Sequence, residues 1–161
     1  MLNSYSNFWV WKNSDFFEGA MKNVLFLCTG NSCRSQMAEG IVNQDFADRL
    51  QAFSAGIDPQ GLNPRAVQVM AELDIDIGAQ SSDHLSLYEG QSFDYVITLC
   101  GDASESCPLF FGGVKREHLG FPDPARAQGS EEEILDEFRR VRDEIRARLQ
   151  EFFTAELLSE Q

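Results

Sequence analysis

A chain of 161 residues suits a single domain, and 43% hydrophobic residues are enough for a packed core, which excludes wholesale disorder. A formal net charge of −13 argues against a nucleic-acid partner and repels anions at long range, so any anion site has to be made locally from backbone N–H groups and a few arginines. The sequence has no apolar run of membrane-spanning length and no signal-peptide pattern, and its cysteines, Cys28, Cys33, Cys100 and Cys107, fit a reducing cytoplasm where structural disulfides are rare.

Residues 1–20 mix Asn, Ser, Phe and Trp without periodicity and read as an extension ahead of the domain, disordered or the product of a misassigned start. The alternative is a docking segment built on Phe8, Trp9, Val10 and Trp11. The domain is expected over residues 21–154, with 155–161 as a tail. Val24 to Leu27 is a short continuous apolar run, as in a parallel strand buried on both faces. A loop with Gly30 follows, then a helix from about Ser35 to Phe46 that buries Met37, Ala38, Ile41, Val42 and Phe46. A second strand covers Ala52 to Ala55 and ends at Gly56. Asn63-Pro64 opens a second helix with the apolar stripe Ala66, Val69, Met70 and Leu73.

Tyr95 to Leu99 is the clearest β-rich run and leads into Cys100. A more polar last strand is expected over Val114 to Leu119. The last helix starts near Ser130, with Glu131 to Glu133 in its first turn and five arginines later, an order that complements the helix dipole. Its buried face is expected to be Ile134, Phe138, Val141, Ile145, Leu149 and Phe152, with Asp136–Arg140 and Glu144–Arg148 as surface pairs. Strands alternating with helices imply an α/β fold, a parallel sheet flanked by helices on both sides.

The segment that carries chemistry is Cys28-Thr29-Gly30-Asn31-Ser32-Cys33-Arg34-Ser35. A loop between a strand and a helix turns successive N–H groups and the positive helix end into one concavity, an anion site. Gly30 allows close backbone approach, Asn31 tolerates a left-handed conformation, and Arg34 offers a planar fork to two oxygens of a tetrahedral anion. Thr29, Ser32, Cys33 and Ser35 complete the expected oxyanion cradle. These surroundings are expected to favour the Cys28 thiolate, a nucleophile, with Ser35 donating to its sulfur. The competing reading makes Cys28 an inert buried cysteine. Cys33 reads as a space-filler whose contribution is its backbone.

The pattern Cys-x5-Arg-Ser resembles the low-molecular-weight protein tyrosine phosphatase superfamily, and the match is nearer to its thioredoxin-coupled arsenate reductases. It is carried by VLFLCTGNSCRSQMAE at 24–39, FSAGI at 53–57, GLNP at 61–64, VITLCGDASESCP at 96–108, VKREH at 114–118, DPARAQG at 123–129 and RVRDEI at 140–145. The resemblance implies a four-stranded sheet in the order 2-1-3-4. It implies that Cys28 forms an adduct with arsenate while Asp123 protonates the departing oxygen. Cys100 then attacks Cys28 to release arsenite, and Cys107 attacks Cys100. The redox-active disulfide Cys100–Cys107 is then reduced by thioredoxin.

By the same resemblance, phosphate and sulfate are competing anions and the molecule is a cytoplasmic monomer. Some relatives bind potassium through positions matching Asn31, Glu39, Ser54 and Asp83. All four residue types are present, but Gln80 weakens the transfer, and no resident metal or bound cofactor is expected. The family phosphatases carry tyrosine soon after the Asp-Pro, where this chain has Ala125 and Arg126, a departure that favours a small inorganic substrate. Three other readings compete: a low-molecular-weight phosphatase, a non-enzymatic thiol redox sensor, and a zinc site on the four cysteines, for which the gap from Cys100 to Cys107 is wide and no His is near. Asp123 also reads as an ordinary turn aspartate, and His84 and His118 as structural or exposed.

Overall fold

The computed structural model describes residues 20–101, 108 and 110–160. Four strands, β1 (Lys22–Cys28), β2 (Leu50–Gly56), β3 (Phe93–Thr98) and β4 (Gly113–His118), form one parallel sheet in the order β2-β1-β3-β4. This is the expected architecture. β1 is central because its apolar run has no polar face: Val24, Leu25, Phe26 and Leu27 are all fully buried. Its alternate side chains divide the core. Val24 and Phe26 join one cluster, Leu25 and Leu27 the other.

The three helices, α1 (Arg34–Asp45), α2 (Pro64–Ala71) and α3 (Glu131–Leu158), all supply the first cluster. The expectation of helices on both faces is modified accordingly. Among the described residues, the second face is covered by Leu85 and Tyr88 of a short 3-10 turn and by Phe110. There Phe93 meets Phe53, Tyr88 and Phe110 edge-on, at centroid distances of 5.7–5.9 Å.

α3 departs from the expected face by a small rotation. Its buried side chains are Leu135, Phe138, Val141, Ile145, Leu149, Phe153 and Leu157, whereas Ile134 and Phe152 only lean on the core. Steps of three and four permit either phase. The ring contacts of Phe153 with Phe46 and Tyr95 accompany the phase adopted. The helix also runs to Leu158, so most of the expected tail 155–161 is helical, with Leu157 buried. Ser130 caps its start reciprocally with Glu133.

The charge pattern on α3 is not wholly a solvated face. Arg142 is buried and donates to the Val69 carbonyl at 2.7 Å and to Glu72, tying α3 to the end of α2. Arg140 pairs with Glu137 and Glu144 and Arg148 with Glu151, rather than Arg140 with Asp136 and Arg148 with Glu144. No helix of the described residues is long and apolar enough to cross a membrane.

Candidate active site

The C-terminal edge of the sheet carries the expected loop. β1 ends at Cys28 and α1 begins at Arg34, so residues 29–33 must turn between them. Their carbonyls are engaged outside the loop. Thr29 O accepts from Asp58 N, Gly30 O from Gln60 N and Ser32 O from Asn63 N, while Asn31 O accepts from Gln36 Nε2 and Ser82 Oγ. A trans peptide carries its N–H opposite its C=O, so the following N–H groups face away from those segments. Thr29, Gly30, Ser32 and Cys33 of this loop line a hollow beside them. Cys33, the residue before α1, makes no side-chain capping hydrogen bond, and the N-terminus of the helix lies beside that hollow, whose lining includes Cys33 and Arg34.

Asn31 orders the loop from within. Its φ is 44°, in the left-handed region that Asn tolerates. Its Oδ1 accepts from Asp83 N at 2.7 Å, which fixes the amide's orientation. Nδ2 then donates to Ser35 Oγ at 2.8 Å and to Ser54 Oγ at 2.9 Å. Because Nδ2 only donates, both hydroxyls accept from it, and each has its hydrogen for another partner. Ser54 donates to Glu39 Oε2 at 2.9 Å. Ser35 Oγ lies 2.9 Å from Cys28 Sγ, so its remaining hydrogen is available to the sulfur.

The two loop thiols differ. Cys28 lines a cavity of about 550 Å³. Cys33 also borders it, but burial pushes its thiol up to about 12, so it stays neutral. Arg34, 3% exposed, donates from Nη1 to the Phe121 carbonyl at 3.1 Å, and its Nη2 is 3.9 Å from Asp123 Oδ2. Asp123 also caps the turn at Pro124–Arg126, its Oδ1 accepting from Ala125 N at 3.0 Å. The turn-aspartate reading is therefore true of its backbone role, and it places the carboxylate on the cavity wall.

Cys100 follows β3, the neighbour of β1, and Leu99 N donates to Leu27 O at 2.9 Å just before it. It is a buried cysteine outside any disulfide of the described residues and does not line the cavity. A Cβ on the next residue, Gly101, would stand 2.2 Å from the Phe121 carbonyl. The strand end that carries Cys100 thus packs on the segment that receives Arg34 and leads to Asp123. Cys107 lies outside the described residues, as do residues 1–19 of the expected extension.

Asn31, Glu39, Ser54 and Asp83 gather in one network behind the loop. Burial first, and then the nearby Asp83, raise Glu39 to about 7. Among the described residues no group of three or more His, Cys, Asp or Glu is placed to hold a metal.

Several supporting residues were not anticipated from the sequence. Gln36 is fully buried and joins Asn31 O to Ser81 O, and Gln80 donates to both oxygens of Gln36. Asp58, Gln60 and Asn63 form the far wall. A Cβ on Gly56 would lie 2.5 Å from Thr29 O. Gly56, a glycine at a strand end, and Asn63, the cap before Pro64, carried local signals, but not for this role.

Comparison with known proteins accords with this geometry. The profile of the low molecular weight phosphotyrosine protein phosphatase family matches residues 23–161. The chain belongs to this family. Within it, the chain is 56% identical over 131 residues to an arsenate reductase of Bacillus subtilis (strain 168), covering 81% of this chain and 94% of that protein. It is 53% identical to an arsenate reductase of Shouchella clausii with the same coverage. A solved arsenate reductase in its phosphate binding state superimposes with a TM-score of 0.69 at 31% identity, covering 84% of this chain and 98% of that one. The thioredoxin-dependent arsenate reductase of Corynebacterium glutamicum gives a TM-score of 0.60 at 25% identity, covering 88% of this chain and 65% of that one. A tyrosine phosphatase from Erwinia amylovora shares the fold alone, at 18% identity.

Proposed function

We propose that this family member is an arsenate reductase that works in the cytoplasm as a monomer, with Cys28, Cys100 and Cys107 as its relay. The Cys28 thiolate attacks arsenic held by Arg34 and the loop N–H groups, and Asp123 gives its proton to the departing oxygen, forming a Cys28–arsenic bond and water. Cys100, as thiolate, then attacks the Cys28 sulfur. The sulfur–arsenic bond breaks, its electron pair stays on arsenic, and arsenite leaves while a Cys28–Cys100 disulfide forms. Cys107 attacks Cys100, freeing the Cys28 thiolate, and thioredoxin reduces the resulting Cys100–Cys107 disulfide.

The observation that supports a reductase over a hydrolase is a second cysteine, Cys100, just past the end of the strand beside the one that ends in Cys28. Cys100 is buried and does not line the cavity, and in this relay its segment moves toward Cys28 after the adduct forms. The names of the curated relatives support the same reading. Arsenate-dependent NADPH oxidation through thioredoxin and its reductase is the test. Hydrolysis of an aryl phosphate without it would favour the phosphatase. A reversible disulfide with neither activity would favour the redox sensor.

The oxygen donors of Asn31, Glu39, Ser54 and Asp83 suit a hard monovalent cation such as potassium. Bound there, it would supply positive charge beside Glu39 and behind the loop, without entering any step above.

A further inference from the structure

One exposed side chain decides the charge balance of the cavity over Cys28. Four charged residues line it: Arg34 on the floor, and Asp58, Asp123 and Arg126. Cys28 apart, two positive and two negative groups cancel, in a chain whose formal charge is −13. Arg34 is almost wholly buried, whereas the Arg126 side chain is 58% exposed. On its other side Arg126 borders a shallow cleft lined by Glu133 and Glu137. Without Arg126 the cavity wall is net acidic and that second acidic cleft adjoins it directly.

Arg126 is also coupled to the floor. Its Nε lies 3.9 Å from Asp123 Oδ2, the oxygen that is 3.9 Å from Arg34 Nη2. Both separations are those of charge neighbours and too long for hydrogen bonds. A divalent tetrahedral anion entering from solvent meets the exposed Arg126 guanidinium first, and Arg34 lies beyond the shared carboxylate.

We propose that Arg126 is the recruiting residue of the oxyanion site, drawing a small divalent anion past the acidic surface and passing it to Arg34 and the loop. The proposal rests on the reading of this cavity as an oxyanion site and is independent of the thiol relay. Arg126 acts on encounter and binding, so its loss raises KM and leaves kcat in place. A role confined to orienting Asp123 would lower kcat instead.

The test uses the full chain and needs no turnover. Alkylation of Cys28 by iodoacetamide, followed by mass spectrometry of its peptide, is titrated with inorganic phosphate and with sulfate. Wild type, Arg126→Lys, Arg126→Ala and Arg126→Glu are compared at ionic strengths of about 0.02 and about 0.2 M. Arg126→Ala is expected to weaken protection about five- to tenfold at the lower salt, Arg126→Glu more, and Arg126→Lys little, with the differences shrinking at the higher salt. That pattern supports recruitment even if the protein reduces no arsenate. Equal protection of wild type and Arg126→Ala at low salt overturns it even if arsenite is produced. A loss in Arg126→Ala that ignores salt and is shared by Arg126→Lys also overturns it.

Discussion

At Cys28 the decisive feature is the direction of hydrogen bonds. Asn31 Oδ1 is held by a backbone N–H, so its amide can only donate toward Ser35, which keeps its own hydrogen for Cys28 Sγ, 2.9 Å away. The neighbouring thiol of Cys33 is kept neutral by burial. Iodoacetamide at pH 7 is therefore expected to label Cys28 well before Cys33, and peptide mass spectrometry reads the order. Labelling of Cys33 first would contradict the assignment of the nucleophile. Arg34→Lys is expected to lower kcat/KM for arsenate at least about a hundredfold, because a point charge replaces a planar fork in a buried seat. Cys28, Arg34 and the left-handed Asn31 were legible in the sequence because spacing alone places them between a strand and a helix. Gln36 and Gln80 were not, because a buried glutamine looks like a surface one until its partners, far along the chain, are known.

Glu39 gives a pH dependence with a definite sign. Its carboxyl is raised in the fold to about 7, above the ordinary 4.5, so between these values the folded state holds a proton that the unfolded state has lost. Stability from this group is fully present below about 4.5 and declines as pH rises through about 7. Glu39→Gln is expected to flatten that decline, so urea midpoints should favour the variant more at pH 8 than at pH 5. If potassium binds here, it stabilises wild type more at pH 8, where the carboxylate it pairs with is ionised. An equal effect of the substitution at both pH values would remove Glu39 as the source.

Among the elements, the strand-to-loop junctions carry the site, and two glycines mark them. Gly56 lets the end of β2 lie against the loop carbonyls, and Gly101 lets the end of β3 lie against Phe121. Gly101→Ala is expected to push the Phe121 segment off Arg34 and to lower activity more than stability. Comparing kcat/KM with the melting temperature checks this. Undiminished activity would show that the contact relaxes freely. Strand positions were readable because continuous apolar runs have few alternatives. The phase of α3 was not, since Ile134 and Leu135, or Phe152 and Phe153, satisfy one periodicity equally. The ring contacts of Phe153 with Phe46 and Tyr95 are absent from any local pattern.

At the scale of the molecule, one cluster holds the three helices of the described residues on one face of the sheet, and the active edge is built where that sheet ends. Phe138 is fully buried in the middle of α3. Phe138→Ala is expected to cost about 3–5 kcal/mol, read from urea unfolding. The family and the sheet order followed from motifs in the sequence. That all three described helices share one face did not, because among the described residues the stretch covering the second face forms only the short turn Leu85–Tyr88, which has no helical periodicity to read.

The relay of thiols is the claim on which the function rests. Arsenite production coupled to thioredoxin, measured at steady state for wild type, Cys100→Ser and Cys107→Ser, tests it most directly. Turnover by wild type is expected, with at most one stoichiometric event in Cys107→Ser, which traps the Cys28–Cys100 disulfide, and none in Cys100→Ser. Undiminished turnover by Cys100→Ser would contradict the account.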